Sequence, residues 1–257
     1  MDMKRIDSLV QSRAETCAKH GEFESRAVVI LGKMMTWTQC PECSRLHAEA
    51  EEKARQHERE LGRQRMVEAR LNRAGIPLRF RSRSFDSFEA KIHGQVSALA
   101  AASEYSDDFP QRYAAGATMV FSGMPGTGKS HLAIAVCMSV MERGYTAMYI
   151  NALDAIRMVR ATWGRHAEQS EREVMNQLAS IDLLVIDEVG AQYGTEGEQV
   201  ILFDIINRRY QDQKPMILLT NQGKEGFKTY LGDRAFDRLR EGGKWVPFDW
   251  KSHRGAA

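Results

Sequence analysis

The stretch Gly123-Met124-Pro125-Gly126-Thr127-Gly128-Lys129-Ser130 limits the choice of fold more than any other part of this chain. It has the form G-x-x-x-x-G-K-[ST], and its flanks match that form. Thr118 to Phe121 reads as a short buried strand, and His131 to Cys137 as a helix with an apolar face. Strand, glycine-rich loop and helix N-terminus together make a phosphate cradle, because backbone N–H groups and the positive end of the helix dipole converge on one point. Gly123, Pro125, Gly126, Thr127 and Gly128 would wrap the β- and γ-phosphates of a nucleotide. Lys129 adds a mobile positive charge, and the Ser130 hydroxyl can ligate Mg²⁺. A glycine-rich turn with a chance lysine would not need such flanks.

The chain has 257 residues, room for one substantial α/β domain and a smaller module. Lysine and arginine total 36 against 34 acids, so net charge alone points to no polyanionic partner. The N-terminus lacks an apolar segment of signal-peptide length, and no uncharged apolar run approaches the ~20 residues of a membrane span. The sequence therefore reads as cytoplasmic. Four cysteines in such a chain point to metal or free thiols before disulfides.

Two ligand pairs lie near the start, Cys17-x-x-His20 and Cys40-x-x-Cys43. Sulfur and imidazole donors at this spacing suit tetrahedral Zn²⁺, and four filled positions make a structural rather than a catalytic metal. Gly21 and Pro41 favour the tight knuckles that chelation needs. His47 competes with His20 as fourth ligand, and reduced, unligated thiols are the plainer alternative. From Arg45 to Arg73 the composition is that of a polar helix, interrupted only by Gly62 and ended by Gly75-Ile76-Pro77. Arg79 to Phe85 then interleaves arginines with aromatics. A linker with Phe85 and Phe88 tucked into the next domain is preferred there over nucleic-acid contact. The expected division is 1–47 for the zinc module, 48–76 for a helical linker and 77–257 for the nucleotide-binding domain.

Within that domain Glu89 to about Phe109 reads as a helix, Tyr145 to Ile150 as a strand, and Asn151 as the cap of the next helix. Arg157, Arg160 and Arg165 surround Trp163, and a polar stretch follows. The apolar run from Ile181 delivers Asp187 and Glu188 to the C-terminal end of a strand, where an open parallel sheet places its ligand. Asp187 would hold Mg²⁺ through its water shell, and Glu188 would act as general base on the attacking water. A helix from Glu196 to Gln211 and a strand from Met216 end in Asn221, able to orient the same water or the γ-phosphate.

These motifs in this order resemble an AAA+ ATPase. The finer text is similar to bacterial DnaC-type replicative helicase loaders in Ser84 to Phe88, Gly126 to Ala133, Asp182 to Gly190, Leu231 to Arg238 and Trp245 to Trp250. The resemblance spans roughly residues 65–254 and leaves out 1–45. It implies an α/β three-layer core with a parallel sheet and an ATP site that includes His131. The 36 residues after Asn221 are too few for a separate C-terminal helical lid. Asn221 falls at the first sensor, Arg238 at an arginine finger acting on the neighbouring subunit's ATP, and Arg254 at the second sensor. The block of Arg157, Arg160 and Trp163 matches an inserted helix lining a path for single-stranded DNA, with a core tryptophan as the rival reading. The resemblance thus implies an ATPase that loads a DnaB-type hexameric helicase onto single-stranded DNA and assembles into a spiral with ATP. An IstB-type transposition helper and a zinc-bearing nucleotide-switch adaptor are the alternatives.

Overall fold

The computed structural model describes residues 10–30, 33–34, 36–191 and 195–253. The chain divides into two compact units, Met1–Glu68 and Ala69–Ala257.

The first unit begins with a hairpin of β1 (Val10–Cys17) and β2 (Gly21–Ile30), antiparallel and closed where Cys17 faces Gly21. Gly21 has φ +81°, a conformation that glycine adopts without steric cost. A short β3 (Lys33–Met34) pairs with β2. Alternation puts Phe23, Ser25 and Ala27 on one side of β2, and the buried Ser25 hydroxyl donates to the Thr38 carbonyl at 2.7 Å. The sequence predicts no strands here; the spacing of the ligand pairs carries no strand signal. Helix α1 (Pro41–Arg73) follows, with proline at its first position, where a missing N–H costs nothing. It runs unbroken through Gly62 and crosses the division between the units. Ion pairs such as Arg45 with Glu42 and Glu49 line its polar surface.

The second unit is built on five strands: β4 (Thr118–Gly123), β5 (Ala147–Asn151), β6 (Leu183–Asp187), β7 (Met216–Thr220) and β8 (Gly243–Phe248). All pair in parallel, in the order β5-β6-β7-β4-β8. Both faces of the sheet are covered, which is why the central strands are apolar without a break. Met119, Phe121, Val185 and Leu219 feed one core, beneath α2 (His93–Asp107) and α4 (Lys129–Glu142). Short α3 (Phe109–Ala114) lies between those helices in sequence. Val120, Leu184, Ile186 and Leu218 feed the other core. Covering it are α5 (Ala152–Ala161), α6 (Glu171–Ser180), α7 (Glu196–Gln211), α8 (Lys224–Leu231) and α9 (Asp233–Glu241). This is the expected three-layer parallel architecture.

After Asn221 the described residues form α8, α9 and β8, with no helical lid among them. Helix α6 begins at Glu171, at the end of the polar stretch 165–173, and is not among the elements the sequence predicts. Its start is signalled by a capping box, Ser170 with Glu173, whose backbone N–H donates to the Ser170 hydroxyl at 3.3 Å. Phe88 is buried in the first core, as the preferred linker reading expects. Among the described residues no helix is long and apolar enough to cross a membrane.

Candidate functional site

The sheet order decides where the chemistry meets. Because β7 lies between β4 and β6, the C-terminal ends of all three strands converge on the loop after β4. The Lys129 ammonium, on the first residue of α4, donates to the carbonyls of Gly123 at 2.5 Å and Met124 at 2.9 Å, and to Asn221 Oδ1 at 2.9 Å. Three acceptors thus meet the three donors of one ammonium group. The Ser130 hydroxyl donates to Asp187 Oδ2 at 2.7 Å. Two hard oxygen groups at this separation, beside the phosphate loop, are a fitting seat for Mg²⁺.

Two glycines are dictated by close approach. Gly123 has φ +154°, and a Cβ there would lie 2.1 Å from the Phe248 carbonyl oxygen. Gly128 has φ +100°, and a Cβ there would lie 2.7 Å from the Phe88 ring. The Trp250 indole N–H donates to the Thr127 carbonyl at 2.9 Å, so β8 and its extension brace the loop.

A cavity of about 410 Å³ opens over the loop. One wall is the segment after α1, contributing Arg79, Phe80, Arg83, Ser87 and Phe88; Asp187, Glu188 and Asn221 line the cavity too. The basic–aromatic segment read as a linker is therefore also a wall of the candidate nucleotide pocket. His131 ties that wall down: its Nε2–H donates to the Ser84 carbonyl at 2.9 Å, and its ring meets Phe88 edge-on at 5.3 Å. Burial holds the His131 pKa below its ordinary value, which keeps the ring neutral and donating.

Glu188 stands at φ +58°, unusual for a residue other than glycine, and its carboxylate is exposed to the cavity. Two polar groups on β5 reach the carboxylate pair, and the sequence reading gave neither a place in the site. Asn151 caps α5 by accepting from the Leu153 N–H at 2.9 Å, and its amide also donates to Glu188 Oε2. The Tyr149 hydroxyl donates to Asp187 Oδ2. What gives both residues their place is the parallel pairing of β5 with β6, which no local pattern in the sequence signals.

Arg238 lies outside the cavity lining of its own chain. It donates to Asn207 and packs over the rings of Phe203 and Tyr210 at 5.1 and 5.6 Å. Trp163 is 60% exposed, so the rival reading of a core tryptophan does not hold. Its indole N–H donates to Glu171 at 2.7 Å, while Arg157 pairs with Asp154 and Arg160 with Glu198. Arg254 lies outside the described residues.

In the first unit the ligand atoms of Cys17, His20, Cys40 and Cys43 all lie within 4.8 Å of one another. Cys17 and Cys43 sulfurs are 3.6 Å apart, and His20 Nδ1 is 3.7, 3.6 and 3.3 Å from Cys17, Cys40 and Cys43. A tetrahedral zinc with bonds of about 2.3 Å to sulfur and 2.0–2.1 Å to nitrogen sets its ligands roughly 3.4–3.8 Å apart. The donor set fits that ion. Backbone N–H groups of Lys19 and His20 hold the Cys17 thiol down at about 6, towards the thiolate that a metal binds. His47 stays out of the cluster, with its Nδ1 3.2 Å from Glu51.

A phosphate loop after one strand, a carboxylate pair two strands away and a polar strand end between them define a P-loop ATPase domain. The chain belongs to the IstB/DnaC-like family of AAA+ ATPases: the family model for IstB-like ATP binding proteins matches residues 44–254. It is 38% identical to the replicative helicase loader DnaC of Escherichia coli K12 over 185 residues, 72% of this chain and 74% of that one. It is 32% identical to the replicative helicase loader DnaC of Buchnera aphidicola (subspecies Schizaphis graminum) over 255 residues, 98% of this chain and 94% of that one. The second alignment corrects the sequence reading, which stopped the likeness short of residues 1–45. The fold is similar to a crystal structure of the DnaC helicase loader, with TM-score 0.60 and 21% identity over 66% of this chain and 99% of that one.

Proposed function

We propose that this ATPase delivers a ring-shaped replicative DNA helicase of the DnaB type onto single-stranded DNA. The observation that carries the reading is the 38% identity to a replicative helicase loader over 72% of the chain. The converging side chains of the ATP site support it. Lys129 and the loop from Gly123 to Ser130 would bind the phosphates, with His131 steadying the pocket wall. Ser130 and Asp187 would hold Mg²⁺, which supplies charge neutralisation at the transferring phosphate. Glu188 would take the proton of the attacking water, and Asn221 would orient it. Arg238 would act on the ATP of a neighbouring subunit in a spiral assembly, leaving Asn207 to do so, and Arg254 would complete the site. Arg157, Arg160 and Trp163 form an exposed cationic and aromatic group suited to stacking and phosphate contact with a single strand.

The division into a zinc module (1–47), a helical linker (48–76) and an ATPase domain (77–257) completes the proposal, with the zinc module gripping the helicase in the cytoplasm. Chelation is expected to release about one zinc per chain. Hydrogen exchange protection of β1 and β2 would fall while the parallel sheet keeps its own. Protein purified without chelator and free of zinc by metal analysis would rule this out.

The deciding experiment is affinity capture with ATP present. Recovery of a hexameric helicase supports the loader, whereas recovery of a transposase on duplex DNA supports the IstB-type reading that the family model's name keeps open. In the assembled state Arg238→Ala should lower ATP turnover roughly a thousandfold, the scale of a trans-acting arginine, while each subunit still binds nucleotide. Full turnover by that variant would remove Arg238 from the site.

A further inference from the structure

β5 is an outer strand of the sheet, and outer strands ordinarily offer their backbone groups to water. At Tyr149 this one does not. The Tyr149 N–H donates to the Ala74 carbonyl at 2.7 Å, so the residue just past α1 takes the place of a sixth strand at that point. The approach is close enough to require a glycine next in line. Gly75 has φ +66°, and a Cβ there would lie 2.5 Å from the Tyr149 carbonyl oxygen. This clamp is anchored independently of β5. Ala74 and Ile76 are 1% and 2% exposed in the first core, and the Arg70 guanidinium donates to the Met141 carbonyl at 2.9 Å.

The side chain of the same tyrosine reaches the candidate metal seat. Its hydroxyl donates to Asp187 Oδ2, the oxygen that also accepts from Ser130, while Asp187 Oδ1 accepts from the Glu188 N–H at 2.6 Å. Three donors thus fix the plane of one carboxylate. Two of them, Ser130 and Glu188, belong to the phosphate loop's helix and to the hydrolytic pair. The third is the only one of these three that arrives from the strand held by the end of α1.

We propose that Tyr149 is a positioning residue for the magnesium-holding carboxylate, and that the Ala74–Gly75 clamp sets where Tyr149 stands. A carboxylate that binds a cation through water is useful only if its lone pairs point at the right water, and a hydroxyl donor on one oxygen restricts that choice. The clamp makes the placement of Asp187 depend on the last turn of α1 being seated on β5. Loosening that turn would detune Mg²⁺ binding without touching a phosphate contact. The proposal rests on the reading of Asp187 as the acid that holds Mg²⁺.

The test uses the full chain and follows fluorescent ADP binding as Mg²⁺ is varied, beside binding in excess chelator. Tyr149→Phe keeps the ring and loses the donor. It is expected to raise the half-saturating Mg²⁺ concentration about 10-fold, the lower end of what loss of such an outer hydrogen bond costs a metal site. Binding in chelator should stay within about twofold of the parent, because the Lys129 and backbone contacts are intact; a general structural defect would weaken both alike. Gly75→Ala should shift the Mg²⁺ requirement in the same direction, and combining it with Tyr149→Phe should add little, since both act through one hydrogen bond. If Gly75→Ala does not fold, Tyr149→Phe alone decides. An unchanged Mg²⁺ requirement in Tyr149→Phe, with a raised one in Asp187→Asn, overturns the positioning role. An unchanged requirement in both variants overturns the reading of Asp187, and the proposal with it.

Discussion

Glu188→Gln is expected to bind ATP as the parent does and to hydrolyse it at a hundredth of the parent rate or less, since a positioned general base contributes about 10²–10⁴-fold. The exchange keeps the shape of the side chain and its contact with the Asn151 amide region while removing the basic oxygen. Lys129, the loop carbonyls and Ser130 are untouched, so the nucleotide still has its cradle. The unusual backbone at Glu188, φ +58°, sets the direction from which the carboxylate faces the cavity, and glutamine inherits it. Single-turnover hydrolysis beside equilibrium nucleotide binding measures both halves. Ordinary turnover by the variant would assign the base elsewhere.

Arg209→Met should destabilise the ATPase unit by about 3–5 kcal/mol, since several buried carbonyls lose their donor at ~1–3 kcal/mol each, partly offset because the buried guanidinium and its desolvation cost go with it. Arg209 is fully buried on α7 and donates to the carbonyls of Leu178 at 2.7 Å, Ala179 at 3.2 Å, Ile181 at 2.9 Å and Pro215 at 2.5 Å. One guanidinium thereby serves the end of α6 and the approaches to β6 and β7; the Pro215 carbonyl also accepts from the Leu184 N–H at 3.3 Å, while the others lie where helix and strand hydrogen bonding stops. Burial holds its pKa down at about 10, which still leaves it charged at neutral pH. Methionine fills the volume but leaves the carbonyls of Leu178, Ala179 and Ile181 without this donor. Lysine would not restore them, because a single ammonium cannot span the fork. Thermal unfolding should move down by roughly 10 °C for a unit of this size. A shift under about 2 °C would mean that water enters and replaces the side chain.

What could be read in advance follows from how chemistry is written along a chain. Asp187, Glu188 and Asn221 sit at the end of an apolar run, and Lys129 and Ser130 open one after the glycine-rich loop, so local pattern and reactive side chain adjoin in sequence. The cysteine and histidine pairs were legible because both members of each pair sit three positions apart. Asn151 and Tyr149 were not, since their meaning depends on β5 lying beside β6, a fact of sheet order that no local spacing carries. Arg209 looked like one more arginine on a helix; only the three-dimensional convergence of α6, β6 and β7 gives it five carbonyls to serve. The wall formed by Arg79 to Phe88 is a third case: its basic–aromatic pattern is local, but the phosphate loop it faces is distant in sequence. Trp163 has two sequence readings, lining a path for single-stranded DNA or packing in the core, and an exposure of 60% excludes the core.

The placement of β7 and β8 on either side of β4 has a consequence for how this protein is made. Thr118 faces Met216 on one side and Gly243 on the other, so the strand that bears the phosphate loop has no sheet partner until the segment beginning at Met216 has left the ribosome. At about 5–20 residues per second, an apolar strand waits for several seconds with both edges open. Long-range parallel pairing of this kind is slow to form and exposed to wrong partners while it waits. A nascent chain stalled before Met216 would therefore be a substrate for chaperones and proteases rather than a smaller ATPase.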